Sequence, residues 1–386
     1  MASEKFYDLI VIGFGGVGSA TLYHAAKKGW SVLGVDQFGP AHNKGSSHGQ
    51  TRVIREAGFE NPAYAPLAAE AFERWDELNN RHRTRPDIAP LFEQTGVLQI
   101  AAARSETLQR IRAIGLQRDL KLVEYSAEEI QQRLPLLKVT DQQIGVLEPS
   151  AGLLRVEHCV AAHLAQAKKR GAVLSSDEEV FSWSASSEGV EVTTEQSTHR
   201  AARLAVCAGA WTNGLLAEIG VPLSILAKQQ HWFQIDRVEQ KLANKFPVVC
   251  IDEEDGEQYY CIPELDSHGM KVVRHTGGDE GESAEKLSRE LDTEELSRVE
   301  AFLDRHIYHQ KHRLVHHAMC MYTNSADGDF VIDRHPDHPH VAFATGLSGH
   351  GFRFTPVLGH RLVEILDGAS PPELEFLSLK RFNSLD

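Results

Sequence analysis

A glycine-rich segment near the start of the chain, residues 13–18, constrains the possible folds more than any other feature. The apolar, β-branched segment 6–12 precedes it and predicts a buried strand, and residues 19–28 predict a helix. A second predicted strand, 31–35, ends on Asp36. A strand, a glycine turn, a helix, a strand and an acid in this order are typical of a parallel-sheet domain that binds a dinucleotide.

Three of the four glycines of this segment each suit a different contact with a dinucleotide. Gly13 permits the tight turn, Gly15 lets the backbone approach a pyrophosphate, and Gly18 lets the helix pack closely on the strand. The helix N-terminus then offers N–H groups and the positive end of its dipole to the phosphates. Asp36 accepts hydrogen bonds from ribose hydroxyls and repels a 2′-phosphate, which favours FAD or NAD over NADP. A glycine turn can also be purely structural, but here strand, helix and acid agree.

A second glycine-bearing segment lies near the end of the chain. A predicted buried strand that begins at residue 341 runs into glycines that include Gly346 and Gly349, and a predicted helix, 355–366, follows. This second helix N-terminus would direct its N–H groups at an electron-rich ligand. A flavin ring, which gains negative charge on reduction, suits that position, whereas an NAD enzyme has no obvious use for it. The segment therefore favours FAD.

Composition narrows the class of protein further. The 386 residues favour two domains, and the formal net charge of −14 disfavours nucleic acid and anionic membranes as partners. No segment approaches the roughly 20 consecutive apolar residues of a membrane-spanning helix. Five widely scattered cysteines argue against a disulfide framework. The first residues lack a signal-peptide pattern, so we expect a cytoplasmic protein.

The pattern of elements predicts an α/β protein with a Rossmann-like FAD-binding domain interleaved with an antiparallel-sheet substrate domain. We assign residues 1–85, 148–220 and 320–386 to the FAD-binding domain, and residues 86–147 and 221–319 to the substrate domain. Within the substrate domain, antiparallel strands are predicted at residues 232–235, 248–251, 258–262 and 270–273.

Two polar patterns each allow two interpretations. Residues 42–55, which include Arg52 and Arg55, form either a solvated loop or a loop that lies along the cofactor and presents guanidinium groups to a carboxylate. Lys271 and His275 lie four residues apart and would share one face of a strand. They either make a cavity basic or lie at exposed strand ends.

Five histidines near the end of the predicted substrate domain raise the question of a metal site. Their spacing, on a segment that predicts a helix followed by a loop, matches metal-ligand spacing poorly. These histidines are His306, His309, His312, His316 and His317. We therefore predict no metal site, and Cys320 taken by itself would be a buried, inert thiol.

Taken together, these motifs resemble the monomeric sarcosine oxidase and N-methyltryptophan oxidase family, within the larger group of FAD-dependent amine oxidoreductases. The similar segments span almost the whole chain, and their combination is specific although the first motif alone is not. They are residues 13–18 with Asp36, 45–55, 207–211, 259–263, 269–275, 318–323 and 346–354.

On the cofactor side, the resemblance implies a covalently bound FAD. The bond would be made through the cysteine of the Met-Cys-Met-Tyr-Thr segment, which is Cys320 here. The resemblance also implies a basic cluster beside the flavin at the positions of His48, Arg52 and Lys271.

On the substrate side, the resemblance implies that Arg55 and Arg353 hold the substrate carboxylate, and that His275 and Tyr260 line the substrate cavity. The family usually has lysine at the position of Arg353. Arginine keeps the charge but changes the reach and the hydrogen-bond geometry, so the resemblance leaves the substrate itself open.

The activity implied is an oxidase of N-methyl or other secondary amino acids, acting as a monomer. A hydride equivalent passes to FAD, dioxygen reoxidises it, and hydrogen peroxide is released. Two alternatives remain open: a dehydrogenase of the same fold that uses another electron acceptor, and a flavin-binding protein without catalytic activity.

Overall fold

The computed structural model describes residues 5–58, 60–83, 88–235, 246–308 and 311–382. The chain is a mixed α/β protein with several sheets, as the sequence predicts. Its helices are Gly16–Lys28, Ala65–His82, Glu106–Gln117, Ala127–Arg133, Val156–Lys168, Thr212–Leu215, Thr293–His306 and Thr355–Leu366.

A six-stranded sheet, here called the parallel sheet, carries the predicted dinucleotide-binding pattern. In spatial order its strands are Val173–Ser176, Val32–Asp36, Leu9–Ile12, Leu204–Val206, Val341–Thr345 and Val331–Arg334. All neighbours pair in parallel except the last two, which are antiparallel. The carboxyl ends of its parallel strands therefore meet at one edge, which is where such sheets bind ligands.

The first helix begins earlier than the sequence predicts, at Gly16 rather than Ser19. It ends at Gly29, whose left-handed backbone (φ 95°) lets its N–H bond back to Ala25 and Ala26. Gly359 of the last helix packs so closely that a Cβ atom there would lie 2.6 Å from the Cβ of Ala20. The two helices thus cover one face of the parallel sheet in close contact.

A nine-stranded sheet, here called the mixed sheet, forms the second large layer. In order its strands are Asp279–Gly281, Leu223–Ile235, Met270–Arg274, Gln258–Ile262, Val248–Asp252, Val97–Ala102, Gln143–Glu148 and Val123–Ser126, and His312–Ser325 pairs with Leu223–Ile235. One pair, Val248–Asp252 with Val97–Ala102, is parallel, and the others are antiparallel.

The described residues also form two smaller sheets. One contains Phe6–Tyr7, Thr198–Ala201, Gly189–Thr194 and Val180–Ser186, and the other contains Thr51–Ile54, Gly152–Arg155 and Phe92–Glu93. The second is a correction, because residues 51–54 were expected in a loop and residues 152–154 in a turn. These residues become strands because they pair with each other across the fold, over roughly a hundred positions of sequence.

The segment around the histidines is also corrected. Residues 312–317, expected as a loop after a helix, open the 14-residue strand His312–Ser325, which carries Cys320. The domain division remains a prediction. Its boundary between residues 319 and 320 lies within this strand, and its boundary between 85 and 86 lies outside the described residues.

Candidate active site

A cavity of about 370 Å³ lies at the carboxyl edge of the parallel sheet. Its wall reaches from Asp36, at the end of the second strand of the fingerprint, to Cys320 and Gly349. Glycines of both predicted glycine segments line it, so the chain brings the two ends of the sequence together around one space.

Gly13, Gly15 and Gly18 differ in the atoms that surround them. A Cβ on Gly13, where φ is 80°, would lie 2.6 Å from the carbonyl oxygen of Cys207, and a Cβ on Gly18 would lie 1.8 Å from the carbonyl oxygen of Gly13. Both glycines are therefore required for packing. The nearest atom to a Cβ on Gly15 would be the Ser47 hydroxyl oxygen at 3.6 Å, so the backbone of Gly15 faces the cavity.

Asp36 closes the turn that follows the first strand. Its two carboxylate oxygens accept the N–H groups of Phe14 at 2.8 Å and Phe38 at 2.9 Å. Burial raises its pKa to about 6, although the two backbone hydrogen bonds oppose that rise. A buried carboxylate, an exposed glycine backbone and a helix N-terminus on one wall fit the ribose and pyrophosphate of a dinucleotide such as FAD.

Cys320 lies at the other end of this cavity, buried, and beside an arginine. Its Sγ accepts a hydrogen bond of 3.1 Å from Nη2 of Arg52. The same Nη2 donates to the carbonyl oxygen of Ser46, and Nη1 of Arg52 donates to that of Thr51. Arg52 and Cys320 are thus brought together at the cavity wall, as the resemblance implies. The covalent attachment itself remains a prediction.

Gly349 lies against the ring of Tyr322 in the same part of the wall. A Cβ on Gly349 would lie 2.4 Å from that ring, and φ at Gly349 is 79°. Gly346 adopts φ 60° at the end of its strand and also lines the cavity. The second glycine segment therefore turns sharply at the point where the cavity meets Cys320.

Lys271 and His48 lie close to Arg52, although neither belongs to the described wall of either cavity. The Lys271 ammonium donates to the carbonyl oxygens of Gly49 at 2.7 Å and Thr51 at 3.1 Å. Burial, followed by the charge of Arg52, lowers its pKa well below the usual value. Burial lowers the pKa of His48 to about 3, so this imidazole is neutral at pH 7.

A second cavity, of about 90 Å³, adjoins the first and has Arg55, Arg353, His275 and Tyr260 in its wall. Four residues belong to the walls of both cavities: Arg52, Tyr322, Gly349 and Phe352. The structure thus brings the predicted substrate-side residues together, immediately beside the Cys320 end of the larger cavity.

The two arginines that line only the smaller cavity, Arg55 and Arg353, have different neighbours. Arg55 donates through Nη1 to the amide oxygen of Gln99 at 3.0 Å, and the Gln99 amide nitrogen donates to Asp252 at 2.9 Å. Nη2 of Arg353 lies 2.8 Å from a carboxylate oxygen of Glu60. All the side chains of this cluster are buried or half-buried, so these charges interact strongly.

His275 and Tyr260 are uncharged at neutral pH. Burial, followed by the charge of Lys228, lowers the pKa of His275 to about 4, and burial raises that of Tyr260 to about 12. His275 Nδ1 lies 3.1 Å from the hydroxyl oxygen of Tyr322. Both residues offer hydrogen bonds to a ligand without adding charge.

Sequence reasoning missed three residues around this cavity. Glu60 follows no motif, and nothing in its surroundings along the chain indicates it. Tyr322 lies two residues after Cys320 and so faces the same side of that strand, which a correct strand prediction would have indicated. Lys228 donates to the three successive carbonyl oxygens of residues 275–277, at 2.6–3.0 Å, and thereby holds the His275 loop.

The described part of the chain lacks two further features. It contains no helix that is both long and apolar enough to cross a membrane. It also contains no group of three or more histidine, cysteine or acidic side chains arranged to hold a metal ion, and His309 lies outside the described residues.

Comparison with known proteins matches residues 8–365 to the family of FAD dependent oxidoreductases. A monomeric sarcosine oxidase of Streptomyces avermitilis is 36% identical over 363 residues, which cover 93% of each chain. An N-methyl-L-tryptophan oxidase of Escherichia coli O139:H28 is 35% identical over 378 residues, which cover 97% of this chain and 99% of that protein.

Solved structures show the same fold. NikD, an amino acid oxidase essential for nikkomycin biosynthesis, is 20% identical and superposes with a TM-score of 0.83 over 97% of each chain. An L-proline dehydrogenase from P. horikoshii is 21% identical and superposes with a TM-score of 0.81 over 99% of each chain.

Proposed function

Because the chain belongs to the FAD-dependent oxidoreductase family, we propose that it oxidises N-methyl or other secondary amino acids and transfers the electrons to dioxygen. Bound FAD would accept a hydride equivalent from the carbon next to the substrate nitrogen and would return the electrons to dioxygen as hydrogen peroxide. The family membership and the names of the curated relatives support this activity, and the monomeric relative supports a monomer.

The observation that carries the proposal is the position of the smaller cavity. It adjoins the Cys320 end of the larger cavity across a shared wall that includes Arg52, and it adds the guanidinium groups of Arg55 and Arg353. Arg55 and Arg353 would bind the substrate carboxylate through charged hydrogen bonds. Fixing the carboxylate fixes the distance of the neighbouring carbon from the shared wall, and such positioning supplies a large part of the rate of many enzymes.

The charges of the cavity also act on the substrate amine. The substrate amine must lose its proton before its lone pair can assist oxidation. The positive charges of the nearby guanidinium groups disfavour the protonated, cationic form of the amine. His275 and Tyr260 are neutral, so they can accept or donate a hydrogen bond to the amine while leaving its charge to the arginines. The cavity therefore favours an amino acid in its anionic form, with a free amine.

A dehydrogenase is the second candidate, because the L-proline dehydrogenase shares the fold over almost the whole chain. Anaerobic reduction of the flavin by sarcosine, N-methyltryptophan, pipecolate or proline tests the proposed substrate class. Admission of air then separates the two candidates, since an oxidase is reoxidised within turnover and releases peroxide in a 1:1 ratio to substrate. Reduction by none of these amines would contradict the proposal.

The role of Arg55 is tested by substitution with methionine. Loss of a charged hydrogen bond should weaken the binding of carboxylate ligands by about 1.5–3 kcal/mol, whereas methyl esters should be affected little. Arg112→Met, at a half-buried arginine paired with the exposed Glu124 away from the cavities, is the matched control. Equal losses for acid and ester would show that Arg55 is structural.

A further inference from the structure

Glu60 places a carboxylate in the wall of the smaller cavity, directly on one of the two arginines assigned to the substrate. One of its oxygens lies 2.8 Å from Nη2 of Arg353, and the other lies 4.0 Å from Nδ1 of His350. The side chains of Glu60 and Arg353 are only 12% and 7% exposed. Solvent therefore screens this pair weakly, and a ligand entering the cavity meets both charges.

The local backbone is shaped around this pair. A Cβ on Gly58 would lie 2.1 Å from a carboxylate oxygen of Glu60 and 3.1 Å from Nη2 of Arg353. The carboxylate thus lies directly against the main chain at position 58, where a larger residue would displace it. Its position next to Arg353 therefore depends on the local backbone as well as on the ion pair.

Glu60 also keeps its charge. Burial by itself would raise the pKa of this carboxyl group, but the charges of Arg353 and Arg55 hold it well below its usual value. Burial lowers the pKa of His350, so this neighbour is neutral at pH 7 and does not cancel the carboxylate. The negative charge of Glu60 therefore persists throughout the pH range in which amines are oxidised.

We propose that Glu60 determines specificity by restricting the cavity to substrates with a single carboxylate, an inference that rests on the proposed oxidation of secondary amino acids. Arg353 already has a countercharge, so a ligand carboxylate that approaches it must share the guanidinium with Glu60. The Glu60 carboxylate repels the single negative charge of a monoanion, and it repels both negative charges of a dianion. Removal of the Glu60 charge should thus favour dianions more than monoanions, wherever each carboxylate binds.

The first test uses substrate pairs that differ by one carboxylate. Sarcosine is paired with iminodiacetate, and N-methyl-L-alanine with N-methyl-L-aspartate, in anaerobic flavin reduction. We expect Glu60→Gln to raise the dicarboxylate-to-monocarboxylate ratio of apparent second-order rate constants at least tenfold for any pair that reduces the wild-type flavin. An unchanged ratio, or a shift towards the monocarboxylate, would overturn the proposal.

The second test needs no turnover. Binding of acetate and of malonate is titrated through the change in the flavin absorption spectrum of the holoenzyme. Glu60→Gln should strengthen malonate binding at least tenfold more than acetate binding, and Glu60→Asp, which retains the charge, should restore most of the wild-type ratio. Equal gains for the two anions would contradict the proposal even if the enzyme oxidised secondary amino acids.

A double substitution shows whether Glu60 acts through Arg353. In an Arg353→Met background, Glu60→Gln should still relieve repulsion of malonate, but acetate should no longer bind better through a released guanidinium. If no secondary amino acid reduces the flavin while the malonate ratio shifts as expected, the proposed function fails and the charge selectivity of Glu60 stands. If secondary amino acids reduce the flavin and the malonate-to-acetate ratio does not change, the proposed function stands and the charge selectivity of Glu60 fails.

Discussion

Cys320 is the residue on which the predicted covalent bond depends, and its surroundings suit that role. Its thiol lines the larger cavity and lies 3.1 Å from the guanidinium of Arg52. The sulfur that would form the bond to the cofactor is thus in direct contact with a cation. The sequence indicates this residue only through the resemblance, whereas its proximity to Arg52 depends on the pairing of His312–Ser325 with Leu223–Ile235.

Removal of this thiol should release the flavin. Acid precipitation of the wild-type protein is expected to leave the yellow colour in the pellet, and Cys320→Ala is expected to move it to the supernatant. Cys207→Ala is the matched control, because Cys207 lines the same cavity and its thiol lies near Thr21, 4.0 Å away. A wild-type pellet without colour would show that the cofactor is bound noncovalently.

Lys271 is predicted to serve the reaction with dioxygen. Its ammonium is held by two carbonyl oxygens next to Arg52, and it lies outside the described walls of the cavities. In its protonated form Lys271 would place a positive charge beside the flavin and stabilise the negative charge that forms when dioxygen is first reduced. Because its pKa is lowered, this form is lost at a lower pH than for an ordinary lysine. Lys271→Met should therefore slow reoxidation by about 10²–10³-fold, as is typical when one such group is removed, and slow reduction by substrate much less.

Stopped-flow measurement of the two half-reactions checks this expectation. Lys271→Arg, which keeps the charge, should restore part of the reoxidation rate. Lys228→Met should give the opposite pattern, because Lys228 holds the His275 loop and therefore affects substrate binding first. Equal losses in both half-reactions of Lys271→Met would refute a specific role in reoxidation.

A site residue can be predicted from the sequence when its contact partners lie near it along the chain. Gly18 and Asp36 are recognisable because their partners Gly13 and Phe14 lie within the same strand-turn-helix-strand unit. Glu60 and Lys228 are not, because their partners Arg353 and residues 275–277 are far away along the chain. No local pattern marks a residue whose contacts form only in the folded protein.

At the scale of elements, the first helix depends on the close approach of Gly18 to the preceding turn. A methyl group there would lie 1.8 Å from the carbonyl oxygen of Gly13, so the backbone must shift. Gly18→Ala should destabilise the protein by roughly 2–3 kcal/mol, as is typical of overpacking. Gly15→Ala is the contrasting variant, because its methyl group would contact only Ser47 at 3.6 Å within the described structure.

Denaturant unfolding and flavin content distinguish these two glycines. We expect Gly18→Ala to lose both stability and flavin, and Gly15→Ala to keep the stability of the flavin-free protein but bind the cofactor less well. The same loss of apoprotein stability in both variants would show that Gly15 also serves packing.

Strand prediction succeeded where a short segment is mainly apolar and failed where polar residues interrupt the segment. The strands Val248–Asp252, Gln258–Ile262 and Met270–Arg274 were predicted to within about two residues. The strand Leu223–Ile235 was predicted only at its apolar end, because buried Lys228, Gln229, Gln230 and His231 interrupt the pattern. Its partner His312–Ser325 was missed because polar residues likewise interrupt its apolar pattern. Backbone pairing holds the two strands together.

At the scale of the whole molecule, several buried histidines make the protein sensitive to acid. Burial lowers the pKa of His163 to about 3, that of His231 to about 4 and that of His24 well below its usual value. The unfolded chain binds their protons near pH 6.5, whereas the folded protein binds them only at lower pH. Stability from the neutral rings is thus fully present above pH 6.5 and declines as the pH falls towards the folded pKa values, by up to about 1.4 kcal/mol per pH unit for each histidine.

His163→Phe should reduce the pH dependence of the free energy of unfolding by the uptake of close to one proton. His163 packs between the rings of Tyr23 and Trp75, at centroid distances of 5.8 and 5.3 Å, so phenylalanine is a compatible replacement. Urea unfolding at pH 7.5, 6.0 and 5.0 measures the slope, and His158→Phe, at an exposed position on the same helix, should leave it unchanged. A slope that is the same in His163→Phe and the wild type would exclude this origin of acid sensitivity.

The larger cavity takes its wall from both main sheets: Asp36 belongs to the parallel sheet, and Cys320 belongs to the mixed sheet. A ligand that fills it therefore contacts two layers whose strands do not pair with each other in the described chain. Its binding free energy opposes their separation and adds to the stability of the assembled molecule. Cofactor occupancy is thereby linked to the cooperativity of melting: calorimetry of the loaded protein should show one sharp transition, and loss of the cofactor should broaden or divide it.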